Sequence, residues 1–197
     1  MNQELLKQAK EMFDTPEKWN AFLELLSHKD NIRNDWYIKL KEEATKKFST
    51  EEFVEGWVFN AWSTCDLQWY QKEHGDKSIG LLFGWGGEMT LYCDANYFDT
   101  IKINDLLRTE RFSPLLSCFN RIDRFYDGGR LASEVRNFNF ESPYDTKFDF
   151  DRLSWFAGNK TEDFIKQISE KVNKYRKSQQ MNLLLNELNL LTKLKQE

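Results

Sequence analysis

The spacing of apolar residues predicts helices over residues 1–48. Three apolar stripes recur there at intervals of three and four positions, which places side chains on one face of a helix. The run Asp14-Thr15-Pro16-Glu17 is typical of a helix start, because it combines a capping residue, a proline and an acid. The stripes comprise Leu5, Ala9 and Met12, then Trp19, Phe22, Leu23 and Leu26, then Ile32, Trp36, Leu40 and Ala44.

After Trp57 the pattern changes to alternation, which predicts strands. Residues 57–62 alternate first, and two longer runs follow over residues 78–85 and 88–98. Gly86-Gly87 separates these two runs, and paired glycines suit a type I′ hairpin turn because both can adopt a positive φ. Alternation over residues 135–140 predicts a fourth strand.

Helical spacing returns in later segments of the chain. One helix is predicted from Asp99 or Thr100, and a second from Ser113-Pro114 to the glycine pair at 128 and 129. A short helix is predicted over residues 149–157, and a long C-terminal helix follows over 161–195, although its apolar stripe shifts phase near Ser178.

Strands and helices are segregated along the chain, so we expect an α+β fold with an antiparallel sheet of about four strands. The predicted organisation is a single domain, 1–197, with a helical segment at 1–48, a sheet-containing core at 53–158 and the long C-terminal helix.

The composition indicates a globular protein. The chain has 197 residues, of which 40% are hydrophobic and 15% aromatic, and its net charge is −4. That charge lacks the excess of Lys and Arg that is typical of non-specific nucleic-acid binding. Three separated cysteines, no signal sequence and no long apolar run predict a cytoplasmic protein without a membrane partner.

The C-terminal leucines are the first candidate site. Met181, Leu184, Leu188 and Leu191 are spaced three, four and three residues apart, as in a short coiled-coil seam. A helix that packs on its own sheet shows the same pattern, and this explanation is favoured because the seam covers only about one and a half heptads. The alternative is a helix that docks on a partner protein or on a second copy.

An aromatic sheet face is the second candidate, represented by Trp62 and Trp69 near the first strands. Large rigid aromatic side chains are typical of binding hot spots when they remain exposed. The pattern does not decide whether helices cover one face of the sheet or both.

A nucleic-acid site is the rival hypothesis. Asp145 and Lys147 match the D-x-K half of a restriction-type nuclease motif, and Asp94 could complete a site for a divalent metal. A run of six arginines extends from Arg108 to Arg136, and two of them, Arg121 and Arg124, are three positions apart on the second predicted helix and could bind phosphate. A chance match is the favoured explanation of the D-x-K pattern, and ordinary ion pairs are the favoured explanation of the arginines.

Other kinds of active site find little support in the sequence. The chain has two histidines, and neither lies in a pattern that is typical of a catalytic triad or a zinc site. We therefore predict a non-enzymatic protein-interaction protein, of the adaptor or inhibitor type, with no cofactor. Its partner would be another protein or a second copy, and a metal-dependent nuclease or nucleic-acid binder is the alternative.

Overall fold

The fold is α+β, as predicted. The computed structural model describes residues 3–50, 55–63, 66–84, 87–119, 121–122, 129–134, 138, 140 and 150–194. Its helices are α1 Gln3–Met12, α2 Pro16–Ser27, α3 Lys29–Phe48, α4 Thr100–Leu107, α5 Phe150–Asn159, α6 Thr161–Arg176 and α7 Gln179–Thr192. Its strands are β1 Trp57–Ala61, β2 Leu67–Gln71, β3 Gly80–Gly84, β4 Glu88–Tyr92, β5 Arg121–Ile122 and β6 Arg130–Glu134.

The helical N-terminal segment is confirmed, and its boundaries follow local capping. Thr15 accepts a hydrogen bond from the backbone N–H of Lys18 at 3.3 Å, which satisfies an otherwise free donor in the first turn of α2. In the same way Asp99 caps α4 by accepting from the backbone N–H of Lys102 at 3.0 Å. The helix predicted before Gly158 is also present as α5.

The sheet is antiparallel in the order β1-β2-β3-β4-β6-β5. It has five strands of five residues and a two-residue strand β5, where about four strands were predicted. The β3–β4 hairpin is confirmed, but its pairing ends at Gly84 and Glu88, so the connection spans three residues rather than the two predicted. Gly87, the last of the three, has a φ of 70°.

Two predictions between α4 and α5 differ from the structure in the residues that it describes. The helix expected from Ser113-Pro114 is only a 3-10 turn, Ser113–Leu116, and the chain enters the sheet edge at β5 instead. The strand predicted over residues 135–140 is preceded by strand β6, which ends at Glu134. Phe138 and Phe140 are described and are not in a strand, and the rest of the predicted range lies outside the described residues.

Helices cover one face of the sheet and form the core with it. Phe48 of α3 contacts Phe59 of β1 and Trp69 of β2, with ring centroids 5.4 and 5.1 Å apart. Farther along the same face, Phe83 of β3 meets Phe164 of α6 at 5.7 Å. These aromatic contacts join the N-terminal and C-terminal helices to a common sheet surface.

The C-terminal segment is helical, as predicted, but it consists of two helices rather than one. α6 ends at Arg176 and α7 begins at Gln179. Ser178 caps α7 by accepting a hydrogen bond from the backbone N–H of Met181 at 3.3 Å. This break lies where the apolar stripe shifts phase. A straight helix would hold the two stripes on different faces, so only a break lets both of them pack against the core.

Candidate functional site

The leucines of α7 mostly pack against the core of the protein. Leu188 is completely buried, and Met181 and Leu184 are half-buried against the core. The prediction that Leu188 contacts a partner is therefore corrected, because its side chain is already enclosed by the chain itself. Leu191 remains exposed, so this helix offers a partner only part of the predicted seam.

Asparagines that the sequence analysis did not single out attach α7 to the β1–β3 region. Asn182, Asn186 and Asn189 lie four and three positions apart and therefore share one helix face. Their side-chain oxygens lie 2.7, 2.6 and 2.7 Å from the Trp57 indole nitrogen, the His74 ring and the backbone nitrogen of Ile79. The spacing of the three asparagines is visible in the sequence. Their hydrogen-bond partners are not, because those lie more than 100 residues away in the chain.

The two faces of the sheet separate the predicted aromatic residues. Trp69 lies on the helix-covered face and is only 1% exposed, so it is unavailable to a partner and that prediction is corrected. Trp62 follows β1 and is 39% exposed. Its ring packs edge-on against Tyr92 at 5.8 Å, and the ammonium group of Lys77 lies 5.7 Å from its ring centroid.

Asp94, which was predicted to help bind a divalent metal, makes local contacts in the structure. One carboxylate oxygen accepts a hydrogen bond from the backbone N–H of Asn96 at 3.0 Å, and the other lies 3.8 Å from the ammonium of Lys77. No group of three His, Cys, Asp or Glu side chains in the described part of the chain could hold a metal ion. Asp145 and Lys147 lie outside the described residues.

The predicted phosphate site assumed that Arg121 and Arg124 lie on one helix. Arg121 lies in strand β5, not on a helix, and Arg124 lies outside the described residues. The helical spacing on which the phosphate site was predicted is therefore absent at Arg121. Arg111, another arginine of the same run, forms an ion pair with Glu187 of α7 at 2.7 Å, which is a structural use of the charge.

The N-terminal helices carry an apolar stripe that is largely uncovered. α2 contributes no buried residue, although it carries Trp19, Phe22, Leu23 and Leu26 at the spacing of a single helix face. Trp19 is 48% exposed and Leu26 is 50% exposed. The rings of Phe13 and Phe22 lie 6.0 and 5.5 Å from that of Trp19, so the indole is supported on one side and open on the other.

An apolar groove of about 350 Å³ begins where this stripe meets α3. Its apolar walls are formed by Phe22, Leu25, Leu26, Ile32 and Trp36. At its rim the Asp151 carboxylate of α5 accepts hydrogen bonds from the ammonium of Lys29 and, at 2.9 Å, from the guanidinium of Arg33. Together these two hydrogen bonds, first that of Lys29, lower the pKa of Asp151, which keeps it ionised and ties α3 to α5.

These observations define the protein as an α+β protein with a helix-covered antiparallel sheet and an uncovered apolar stripe on its N-terminal helices. Comparison with known protein families, with curated proteins and with solved structures finds no match to this chain. In the described ranges, no helix has the length and apolar character needed to cross a membrane.

Proposed function

We propose that this protein is a non-enzymatic interaction protein that binds another protein through α2. The observation that carries the proposal is the exposed stripe of Trp19, Leu23 and Leu26 on a helix without a buried residue. Burying apolar surface stabilises a complex by about 25 cal/mol for each Å² removed from water. Contiguous exposed apolar patches are accordingly typical of interaction sites rather than of free surfaces.

The charge around the stripe favours a protein partner. Acidic residues outnumber basic ones over residues 1–28, whereas anionic membranes and nucleic acids attract surfaces rich in Lys and Arg. The stripe spans about two turns, which suits an apolar helix face laid along it. We propose the cytoplasm as the compartment of this interaction, on the basis of the three separated cysteines.

A capture experiment with matched variants tests the proposal. Tagged wild-type protein, the double variant Trp19→Lys/Leu23→Lys and the control Ile101→Lys would be incubated with lysate, with and without nuclease. Ile101 lies on α4 and is 75% exposed, so the control places a lysine at an exposed apolar position elsewhere on the surface, with one added charge against two in the double variant.

We expect a protein that the wild type and the control retain, that the double variant loses, and that nuclease treatment does not affect. Calorimetry with that purified protein should then show a negative heat-capacity change on binding, because apolar surface is buried. Equal retention by all three forms, or retention that depends on nucleic acid, would contradict the proposal.

A further inference from the structure

A cleft of about 620 Å³ runs along α6, and we call it the α6 cleft. One wall is aromatic and is formed by Trp155 and Phe156 of α5 together with Phe140. The other wall is the polar face of α6 and of Lys160, which precedes it, and this wall brings four lysines and two acids to the cleft. Ligand-binding clefts have volumes of about 300–1,000 Å³, so this one has the size of a ligand site.

Trp155 is the member of the aromatic wall that a ligand can reach. It is 47% exposed, whereas Phe156 is only 8% exposed. The indole meets the ring of Phe156 edge-on at 5.2 Å, and Phe156 in turn stacks on Phe140 at 4.3 Å. The indole is therefore supported by other rings and still offers aromatic surface to the cleft.

Positive charge lies next to the aromatic wall. The ammonium group of Lys171 is 5.2 Å from the ring centroid of Phe138, and the ring of Phe138 stacks with that of Phe140 at 5.9 Å. Lys174 follows three positions later and therefore lies on the same side of α6. A ligand that lies against the aromatic wall thus meets ammonium groups as well as rings.

The lysines of the α6 cleft outnumber its acids. Four lysines and two acids line it, so the lining carries a net charge of +2 in a chain whose net charge is −4. The two acids, Asp163 and Glu170, are exposed. In the ranges that the structure describes, neither Lys160 nor Lys174 forms an ion pair. The cleft therefore favours an anionic ligand.

The length of the lysine row favours a ligand with several anionic groups. Lys160 and Lys174 are fourteen positions apart, which is about 21 Å along a helix axis. Phosphates of a stacked nucleic-acid strand follow each other at a rise of about 3.4 Å, so the row faces several of them. Proteins that hold single strands without reading their sequence combine such a row of cations with exposed aromatic rings.

We propose that the α6 cleft binds single-stranded nucleic acid, with a base stacked on Trp155 and the phosphates beside the lysines of α6. An acidic peptide would use the lysines but would leave the indole without a ring to stack on. A duplex keeps its bases within its own stack and offers none to the indole. The site lies apart from the stripe on α2, so it is independent of the proposed function.

Fluorescence anisotropy of a labelled oligothymidylate of about ten nucleotides, titrated with the full chain, tests the proposal. We expect the wild type to bind it, with an affinity that falls as the salt concentration rises. Trp155→Ala should weaken binding at least about fivefold, because it removes the stacking surface, whereas Trp155→Phe should retain most of the affinity. Trp155 is half exposed, so circular dichroism should show an unchanged fold in both variants.

A matched pair of lysine variants separates the cleft from the overall charge. Lys160→Gln/Lys174→Gln removes two charges from the cleft and should weaken binding and reduce its salt dependence. Lys47→Gln/Lys72→Gln removes two exposed charges from outside the cleft and should bind as the wild type does. Equal losses in the two double variants would show that only the net charge matters and would overturn the site.

Competing ligands test the nature of the partner. An oligoglutamate, thymidine monophosphate and a duplex of the same length should each displace the labelled strand less well than unlabelled oligothymidylate does. Equal displacement by oligoglutamate would assign the cleft to acidic peptides, and equal displacement by thymidine monophosphate would assign it to free nucleotides. Either result, equal binding of the duplex, absence of binding by the wild type, or unchanged binding by Trp155→Ala would overturn the proposal.

Discussion

At the scale of single residues, contacts with the backbone determine what a position tolerates. Gly129 has a φ of 92°, and a Cβ built there would lie 1.6 Å from the carbonyl oxygen of Cys93. Gly75 has a similar φ of 82°, but nothing lies within 4 Å of its Cβ position. These two glycines therefore share a left-handed conformation, which glycine adopts without strain, and differ in the space that a side chain would find.

We expect Gly129→Ala to lower the free energy of unfolding much more than Gly75→Ala. The second substitution adds only the strain of a left-handed alanine, about 1–2 kcal/mol, whereas the first also pushes two backbone segments apart. Urea denaturation of both variants measures the difference. Equal losses would show that the close contact at Gly129 relaxes without cost.

Cys93 gives a prediction about alkaline pH. Its thiol is buried, and burial, assisted by the charge of Asp94, raises its pKa to about 12. The unfolded chain ionises this thiol near pH 8.5, so the folded state holds the extra proton and loses stability as the pH rises above that value. We expect the wild type to lose about 1.4 kcal/mol for each pH unit above 8.5 relative to Cys93→Ala.

Urea denaturation of both forms between neutral pH and pH 10, under reducing conditions, measures this slope. The same burial makes the thiol a poor nucleophile in the folded protein. If the free energy of unfolding changes with pH in the same way for the wild type and Cys93→Ala, the thiol has the same pKa in the folded and unfolded protein, which contradicts the prediction.

At the scale of secondary-structure elements, the position of α7 depends on its asparagine face. The Asn189 amide is buried, and it accepts from the backbone nitrogen of Ile79 at 2.7 Å and donates to the carbonyl of Ile79 at 3.2 Å. Through these bonds one side chain satisfies both backbone groups of a residue next to β3.

Asn189→Leu should therefore destabilise the fold by about 2–4 kcal/mol, because it leaves two buried backbone groups without partners. Leu190→Ala is the matched control, since the neighbouring side chain is largely exposed and should change stability by less than about 0.5 kcal/mol. Urea denaturation measures both. If leucine at position 189 is as stable as asparagine, α7 is held by apolar packing alone.

Some elements were predictable from the sequence and others were not. α2 and α4 begin at residues whose side chains cap them, and such hydrogen bonds reach only three positions. β2 was missed because its alternation is short: Leu67, Gln68 and Trp69 alternate between apolar and polar, but Tyr70 and Gln71 reverse the pattern. The helix predicted after Ser113 failed because pairing of β5 with β6 replaced it.

At the scale of the whole molecule, the N-terminal helices and α7 differ in how much of the core depends on them. α2, which the structure describes completely, has no buried residue, whereas α7 contributes the fully buried Leu185 and Leu188 to the core. The stability of the remaining chain should therefore respond very differently when one end or the other is removed.

We expect removal of residues 1–28 to change the melting temperature only slightly, because little core area is lost. Removal of residues 179–197 should prevent folding, because it exposes the core that α7 covers. Thermal denaturation followed by circular dichroism compares the two truncated chains with the full chain. A large loss of stability on removal of residues 1–28 would show that α1 and α2 stabilise the fold.

The sequence by itself determined the local elements, namely the capped helices and the β3–β4 hairpin, because their hydrogen bonds and turn conformations involve neighbouring residues. It also showed apolar stripes on both α2 and α7. Only the tertiary structure decided that α7 covers the core and that the stripe on α2 remains exposed. The physical reason is that burial depends on which distant elements lie against a helix face, and two stripes with the same spacing are equivalent until the chain has folded around one of them.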